Sequence, residues 1–204
     1  PPSAIEACLD KMLFANKASK LGFPSIPVFE DPRPLDESRV TVKERRGQGS
    51  RKIHLDLTKE EAEEHAGTLD DPIFQPHVTG RELSADLYVD REGRAHGTIL
   101  RWRDLVVDGE SKVTTTFRKA EWERDLGELA SLIGLRGHGL AQAIVDKELQ
   151  LHILEINPRL GGASPLSLAC GLKSIEWFLQ ESAGIDLGEP TDFDYPAGMR
   201  LTRD

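Results

Sequence analysis

The run that most constrains this chain is residues 154–162, with the sequence LEINPRLGG. Side chains alternate between the two faces of a strand, so Glu155 and Asn157 are predicted to lie together on one face. Pro158 ends the strand, Arg159 adds a permanent cation, and the two glycines let the backbone turn close to a bound group. Oxygen ligands beside a guanidinium suit a magnesium-bound polyphosphate.

A second strand is predicted just before this one, and it carries a further polar side chain. Gln142 lies directly opposite Glu155 if the hairpin is centred between Glu148 and Leu149, within a polar turn. Gln142, Glu155 and Asn157 would then project from one face as three hard oxygen donors, the type that Mg²⁺ prefers. The alternative is that they are exposed polar residues on the wet face of a hairpin.

Helices and antiparallel hairpins alternate along the rest of the chain. Strands are predicted at residues 39–43, 53–57, 73–78, 83–89, 95–107, 112–116, 140–145 and 151–156. Helices are predicted to begin near Ser3, Asp10, Thr58, Lys119, Ser164 and Ser174, most of them from capping signatures. This order predicts an α+β protein of two lobes and not a parallel doubly wound sheet.

Composition narrows the class of protein. The chain has 204 residues, a net charge of −9 and no apolar run near the roughly 20 residues that cross a bilayer. The negative charge argues against a broad nucleic-acid surface, which needs basic stripes. Cys8 and Cys170 are far apart and form no metal or disulfide pattern. We therefore expect a cytoplasmic protein with no membrane segment and no nucleic-acid partner.

At the Glu-x-Asn-x-Arg strand the chain resembles the ATP-grasp superfamily, within it the branch of carbamoyl-phosphate synthase and biotin carboxylase. The resemblance extends over nearly the whole chain and implies the ATP-grasp fold, with the nucleotide between two lobes. It implies an N-terminal lobe at 1–78, including a glycine-loop lid, and a C-terminal lobe at 79–204 with the metal site. The implied cofactors are ATP and Mg²⁺, with Mn²⁺ as an alternative metal.

The resemblance also implies nucleotide-binding residues in the first lobe. Asp10-Lys11 followed by LGFPSIP at 21–27 is similar to the Asp-Lys helix and its exit, so Lys11 would contact the nucleotide. Lys43 would reach the α- and β-phosphates, and the glycine loop would fold over them with these residues: Gly47, Gly49 and Ser50. Without the resemblance, the loop is more often a plain hairpin turn and Lys43 a solvated strand end.

A third similar segment is FQPHVTGRE at 74–82. It resembles the hinge that reads adenine, which assigns Gln75, His77 and Val78 to base binding and Glu82 to the ribose hydroxyls. Taken alone, Glu82 is more often just an exposed strand residue. Gln75 stands where an acidic hinge residue is common.

The reaction implied by the resemblance is an ATP-dependent ligation of a small carboxylate to an amine through an acyl phosphate. Lys43 and Arg159 would stabilise the transferring group, and Arg103, with Arg101, would hold the acyl phosphate or a carboxylate. Two alternatives stay open: a nucleotide-binding module without catalysis of its own, and a small-molecule kinase on the same fold.

Two features depart from the family pattern. Glu44 follows Lys43 where a small residue or proline is usual, which places a like charge near the phosphates. The α/β domain that usually precedes this fold is absent from the sequence given, so a fragment or one half of a split enzyme is expected. A missing partner subunit and a homodimer both stay open.

Overall fold

The computed structural model describes residues 1–36, 38–47, 53–191 and 193–203. Its helices are α1 (Pro2–Leu9), α2 (Lys11–Lys20), α3 (Lys59–Ala66), α4 (Ala120–Leu132), α5 (Ser164–Ala169) and α6 (Ser174–Ser182). Its strands are β1 (Val40–Glu44), β2 (His54–Leu57), β3 (Pro72–Pro76), β4 (Arg81–Val89), β5 (Ala95–Val107), β6 (Glu110–Phe117), β7 (Gly137–Val145), β8 (Leu151–Asn157) and β9 (Arg200–Thr202).

The strands form two sheets. The small sheet has the order β2-β1-β3, and the large sheet has the order β8-β7-β4-β5-β6-β9. Every pairing between these strands is antiparallel. Because helices and antiparallel sheets share the chain, the expected α+β class is confirmed.

Each sheet has a hydrophobic core. The large sheet packs one face against α1, α2 and α4 around residues such as Phe14, Leu87 and Leu126. The small sheet packs against α3 around Val42 and Phe74. The expected division into lobes 1–78 and 79–204 stays a prediction, and α1 and α2, although they precede β1 in the chain, pack in the larger core.

Helix caps were predicted with mixed success. Asp10 caps α2 by accepting hydrogen bonds from two backbone amides, and Thr58 caps α3 in a full capping box with Glu61. The caps predicted at Ser3, Ser164 and Ser174 are wrong. Each of these serines lies inside the first turn of its helix, so its hydroxyl cannot accept from the amides that a cap serves.

The hairpin of β7 and β8 brings Gln142 opposite Glu155, as predicted, but through an irregular register. Val145 pairs with Leu151, so the hairpin is centred one half-residue earlier than expected. The register then shifts, and Leu154 becomes an extra residue in β8. This is a β-bulge.

The bulge decides which face Glu155 occupies. Ile153 is buried in the core before the shift, and Ile156 is buried after it. In a regular strand Glu155 would share the face of Ile153 and point into the core. The extra residue therefore turns Glu155 and Asn157 to the opposite face of the sheet.

Candidate active site

A row of polar side chains crosses the face of the large sheet opposite its main core. Gln142 pairs with Glu155 on one side and with Ser84 on the other, and Ser84 pairs with Arg101. Asn157 donates a hydrogen bond from Nδ2 to Glu155 Oε1 over 2.7 Å. The structure thus brings together the three predicted metal ligands, whose role stays a prediction.

Two buried lysines face this row from outside the large sheet. Lys11, at the start of α2, is 7% exposed, and Lys43, on β1 of the small sheet, is 6% exposed. Burial lowers the pKa of Lys43 to about 8, with Lys11 adding to the effect, while the Glu155 carboxylate opposes it. Burial also lowers the pKa of Lys11, against the raising influence of Glu155 and Glu44.

Glu155 therefore lies within electrostatic reach of both lysines. Lys11 is also influenced by the carboxylates of Glu44 and Asp10, whereas Glu155 is the carboxylate that acts on Lys43. A buried ammonium needs an anionic partner, and Lys43 shares its carboxylate with Lys11, so a further anion beside Lys43 would be favourable.

The start of the predicted glycine loop is attached to α2. Lys11 Nζ donates to the carbonyl oxygen of Gly47 at 2.7 Å, and the Asp10 carboxylate binds Arg45 and Arg46. The rest of the loop, including Gly49 and Ser50, lies outside the described residues. The phosphate-binding role of the loop stays a prediction.

The predicted hinge begins in β3 and continues beyond it. The Gln75 side chain is 2% exposed and donates from Nε2 to the carbonyl oxygen of Ile26 at 3.3 Å. His77 donates its backbone amide to the carbonyl oxygen of Arg39, and its ring contacts Thr41 Oγ1. Val78 comes next in the chain. These contacts fix the segment, and its role in binding adenine stays a prediction.

The two arginines of β5 have different environments. Arg101 is 1% exposed, and it binds Asp86, Ser167 and Thr114. Both arginines line the cavity described below, but the donors of Arg101 serve this internal network.

Arg103 has a side chain that is 6% exposed, with its Nε 2.9 Å from Glu82 Oε2. Burial lowers the pKa of Arg103, Arg101 adds to this effect, and Glu82 and Glu155 oppose it. The ribose contact expected of Glu82 therefore competes with an existing ion pair.

A cavity of about 790 Å³ opens beside this row of side chains. Its walls include Gln142, the turn that follows Arg159, and the hairpin of β5 and β6. Arg159 itself lines the cavity together with Arg103 and Arg203. The cavity is thus rich in guanidinium groups and reaches Gln142, one of the three predicted metal ligands.

Sequence reasoning missed Arg203 and Lys112 as cavity residues. Arg203 reaches the cavity because β9 pairs with β6, and its backbone amide donates to the carbonyl oxygen of Lys112 at 2.8 Å. A three-residue strand is too short to show an alternating pattern. The basic residues at 200 and 203 were the available signal, and they do not reveal their partner strand.

The donor set of Gln142, Glu155 and Asn157 fits a magnesium ion better than a transition metal. Hard oxygen donors suit Mg²⁺, and the set contains one carboxylate, so further ligands would come from phosphates and water. In the described part of the chain no three His, Cys, Asp or Glu side chains cluster as a metal site. Mn²⁺ accepts the same oxygen donors.

Two antiparallel sheets, with two buried lysines facing a row of polar side chains on the larger one, are the arrangement of an ATP-grasp domain. A family model described as ATP-grasp in the biosynthetic pathway with Ter operon matches residues 68–202, and the chain belongs to this family. A comparison with curated proteins gives no match.

Solved structures share the fold. Biotin carboxylase from Campylobacter jejuni, in a complex with an ATP analogue, has a TM-score of 0.81 and 17% identity, covering 97% of this chain and 50% of its own. N5-carboxyaminoimidazole synthetase from Staphylococcus aureus, complexed with ADP, has a TM-score of 0.77 and 15% identity, covering 94% and 56%. L-amino acid ligase from Bacillus licheniformis has a TM-score of 0.61 and 17% identity, covering 81% and 44%.

The chain spans about half the length of these solved structures. At such identities the likeness establishes the fold and leaves the reaction to be argued from the site. Within the described residues no helix has the length and apolar character needed to cross a bilayer.

Proposed function

We propose that this domain binds Mg-ATP between its two sheets and serves an ATP-dependent ligase that joins a small carboxylate to an amine. The observation that carries the proposal is Glu155, which lies on the large sheet within electrostatic reach of Lys11 and Lys43. Membership of an ATP-grasp family and the nucleotides named with two similar structures support it.

Each side chain in the cleft has a proposed role. Lys11 and Lys43 bind the phosphates together with Gly47, Gly49 and Ser50 of the loop. Gln75, His77 and Val78 hold the base. Glu82 breaks its ion pair with Arg103 and accepts hydrogen bonds from the ribose hydroxyls. These assignments place the nucleotide between a proposed N-terminal lobe at 1–78 and a C-terminal lobe at 79–204.

Gln142, Glu155 and Asn157 would hold Mg²⁺, or Mn²⁺ in its place. When bound, the ion neutralises charge on the phosphate oxygens. Arg159 and Lys43 stabilise the charge of the transferring phosphoryl group, and Arg103 orients the substrate carboxylate.

The proposed reaction has two steps. A carboxylate oxygen attacks the γ-phosphorus, the bond from that phosphorus to the β,γ-bridging oxygen breaks, and ADP leaves. The amine nitrogen then attacks the carbonyl carbon of the acyl phosphate, expels inorganic phosphate and loses a proton. The protein contributes by positioning and charge neutralisation, without a covalent intermediate.

Two buried free cysteines suit a reducing compartment, so we place the protein in the cytoplasm.

Calorimetry with Mg-ATP tests the binding step, and ADP release across amino acids, hydroxy acids and simple carboxylates tests the reaction. Mg-ATP binding with carboxylate-dependent ADP release supports the ligase. Binding with no such release supports a nucleotide-binding module. A stable phosphorylated product in mass spectrometry identifies a kinase, and a failure to bind Mg-ATP contradicts the whole proposal.

A further inference from the structure

We infer that the cavity selects an acceptor carrying two anionic groups, one carboxylate that reacts and a second carboxylate or phosphate that Arg203 binds. This inference rests on the proposed function and names the substrate class of the same site. It depends on a difference between the arginines of the cavity, namely how many of their donors are already bound to groups of the protein.

Two of the cavity's arginines are occupied by internal partners. Arg101 is bound to Asp86 and is almost wholly buried. Arg103 lies 2.9 Å from Glu82 and donates to the carbonyl oxygen of Gly109 at 2.9 Å. Their charges are largely neutralised before a substrate arrives.

The other two arginines keep most of their binding capacity. Arg159 is exposed and donates to the carbonyl oxygen of Leu160 at 3.1 Å; within the described ranges no carboxylate lies in salt-bridge distance of it. Arg203 is about one-third exposed, and its ion pair with Glu110 is long, at 3.8 Å. A guanidinium offers five donors in a planar fork, so both groups can accept a bidentate anion.

Arg159 and Arg203 meet the turn that follows β8 at different places, which gives the two anions separate positions. Arg159 precedes the turn, whereas the guanidinium of Arg203 packs on Gly162 within it. A Cβ added at Gly162 would lie 2.6 Å from Arg203 Nη1, so the glycine leaves the space that the guanidinium occupies. Arg159 is placed at the reacting end of the substrate, where the acyl phosphate forms, and Arg203 for a second anion farther along the cavity wall.

The charges of the cavity wall agree with this assignment, since four arginines and Lys112 line it against Asp108 and Glu110. A monocarboxylate would satisfy Arg159 once phosphorylated, and Arg203 would keep a weak partner in a partly desolvated cavity. A second anion converts that donor set into charge-assisted hydrogen bonds. A carboxylate and a phosphate share this chemistry, so the structure leaves both as sources of the second charge.

The test is ADP release with Mg-ATP and hydroxylamine, which captures an acyl phosphate as a hydroxamate. The panel contains pairs that differ in the second anion: glutamate against norvaline, succinate against butyrate, and O-phosphoserine against serine. We expect the dianions to exceed their partners in kcat/KM, with the carboxylate and phosphate pairs distinguishing the two sources. Mass spectrometry of the hydroxamate verifies which group reacted.

Variants then connect the selectivity to Arg203. Arg203→Gln should lower kcat/KM for the preferred dianion about 10- to 100-fold and leave the slower monoanion nearly unchanged, as expected for one charged hydrogen-bonding partner. Gly162→Ala should reproduce part of this loss by displacing the guanidinium. Arg200→Gln is the matched control, since Arg200 begins β9, the strand that directly precedes Arg203, and does not line the cavity.

The outcomes separate this inference from the proposed function. Equal use of monoanions and dianions, or an Arg203→Gln loss that is the same for both, would overturn the inference while the ligase proposal stands. Mg-ATP binding without ADP release by any member of the panel also overturns the inference. A domain that does not bind Mg-ATP removes the proposed function itself.

Discussion

At the scale of single residues, Glu155 on the large sheet interacts electrostatically with Lys43 on the small sheet and with Lys11 on α2. Its carboxylate receives a hydrogen bond from Asn157 and raises the pKa of both buried lysines against the effect of their burial. We therefore expect the Glu155 carboxylate to contribute more to stabilising the charged transition state than to binding ATP in the ground state.

We predict that Glu155→Gln lowers the turnover number about 100-fold or more while the Kd for Mg-ATP changes only a few-fold. The amide keeps the shape of the side chain and removes the charge that orders the phosphates. Steady-state ADP release and calorimetry measure the two quantities. Glu148→Gln, an exposed carboxylate on the same hairpin, is the control, and full activity of Glu155→Gln would rule out the metal assignment.

We predict that Lys43 makes the affinity for ATP depend on pH. Its pKa is about 8, because burial and Lys11 outweigh the influence of Glu155. A lysine is charged below its pKa, and phosphate binds the charged form, so affinity should be high at pH 7.5 and about ten-fold lower at pH 9.5. Calorimetry across this range measures the profile.

Lys43→Met provides the comparison for that profile. The variant has no charge to lose at this position, so it should bind ATP more weakly and lack the transition near pH 8. A wild-type profile retained in Lys43→Met would mean that another group titrates.

At the scale of elements, Asp10 joins a helix to a strand end. It caps α2, and it binds Arg45 and Arg46 at the end of β1. Burial pushes the pKa of Asp10 upward, but hydrogen bonds from Arg45 and Leu13 and the nearby charges prevail, so the pKa is lowered. The charged form is therefore the one that stabilises the fold.

We predict that Asp10→Asn lowers the free energy of unfolding by about 2 kcal/mol at neutral pH, because asparagine keeps the cap and loses both ion pairs. The lowered pKa fixes the sign of the pH effect. Stability from Asp10 is complete above the ordinary pKa of aspartate and is lost as pH falls through the lower folded pKa.

Urea unfolding at neutral and acidic pH measures this difference. The gap between wild type and Asp10→Asn should close as the solution becomes acidic, and Glu64→Gln, on the exposed surface of α3, should show no gap at either pH. A gap that is the same at both pH values would indicate a packing effect instead of a charge effect.

Local signals predicted many of these elements because they depend on nearby residues. The thirteen residues of β5 have the predicted bounds, and α3 begins with the predicted Thr58 and Glu61 pair. The bulge was harder to foresee, although adjacent Ile153 and Leu154 interrupt the alternation of apolar residues. Its register depends on two neighbours at once, since Ile153 also exchanges backbone hydrogen bonds with residues 24–26.

The candidate site could likewise be predicted only where it depends on residues that are close in the sequence. Glu155 and Asn157 could be placed on one face from their spacing, because that relation is local. The position of Arg203 depends on a short strand finding the edge of a sheet formed some 90 residues earlier in the chain. The internal use of Arg101 depends on Asp86 and the start of α5, which no pattern around Arg101 reveals.

At the scale of the whole molecule, a nucleotide between the sheets would contact two sheets that pack on different hydrophobic cores. We predict that Mg-ATP at 100 times its Kd raises the free energy of unfolding by about 2.7 kcal/mol and Tm by roughly 5–10 °C. Backbone amides of β1 and β3 should gain protection from hydrogen exchange together with those of β7 and β8. Thermal unfolding and exchange mass spectrometry measure these effects.

The pattern of protection tests where the nucleotide lies. AMP lacks the β- and γ-phosphates and keeps one of the groups that Lys11 and Lys43 are proposed to bind, so it should give a much smaller shift in Tm. Lys43→Met should reduce the effect of Mg-ATP toward that of AMP. If Mg-ATP protected the strands of one sheet and left the other unchanged, the nucleotide would not bridge them, because a ligand held by Lys43 and Glu155 must restrain both.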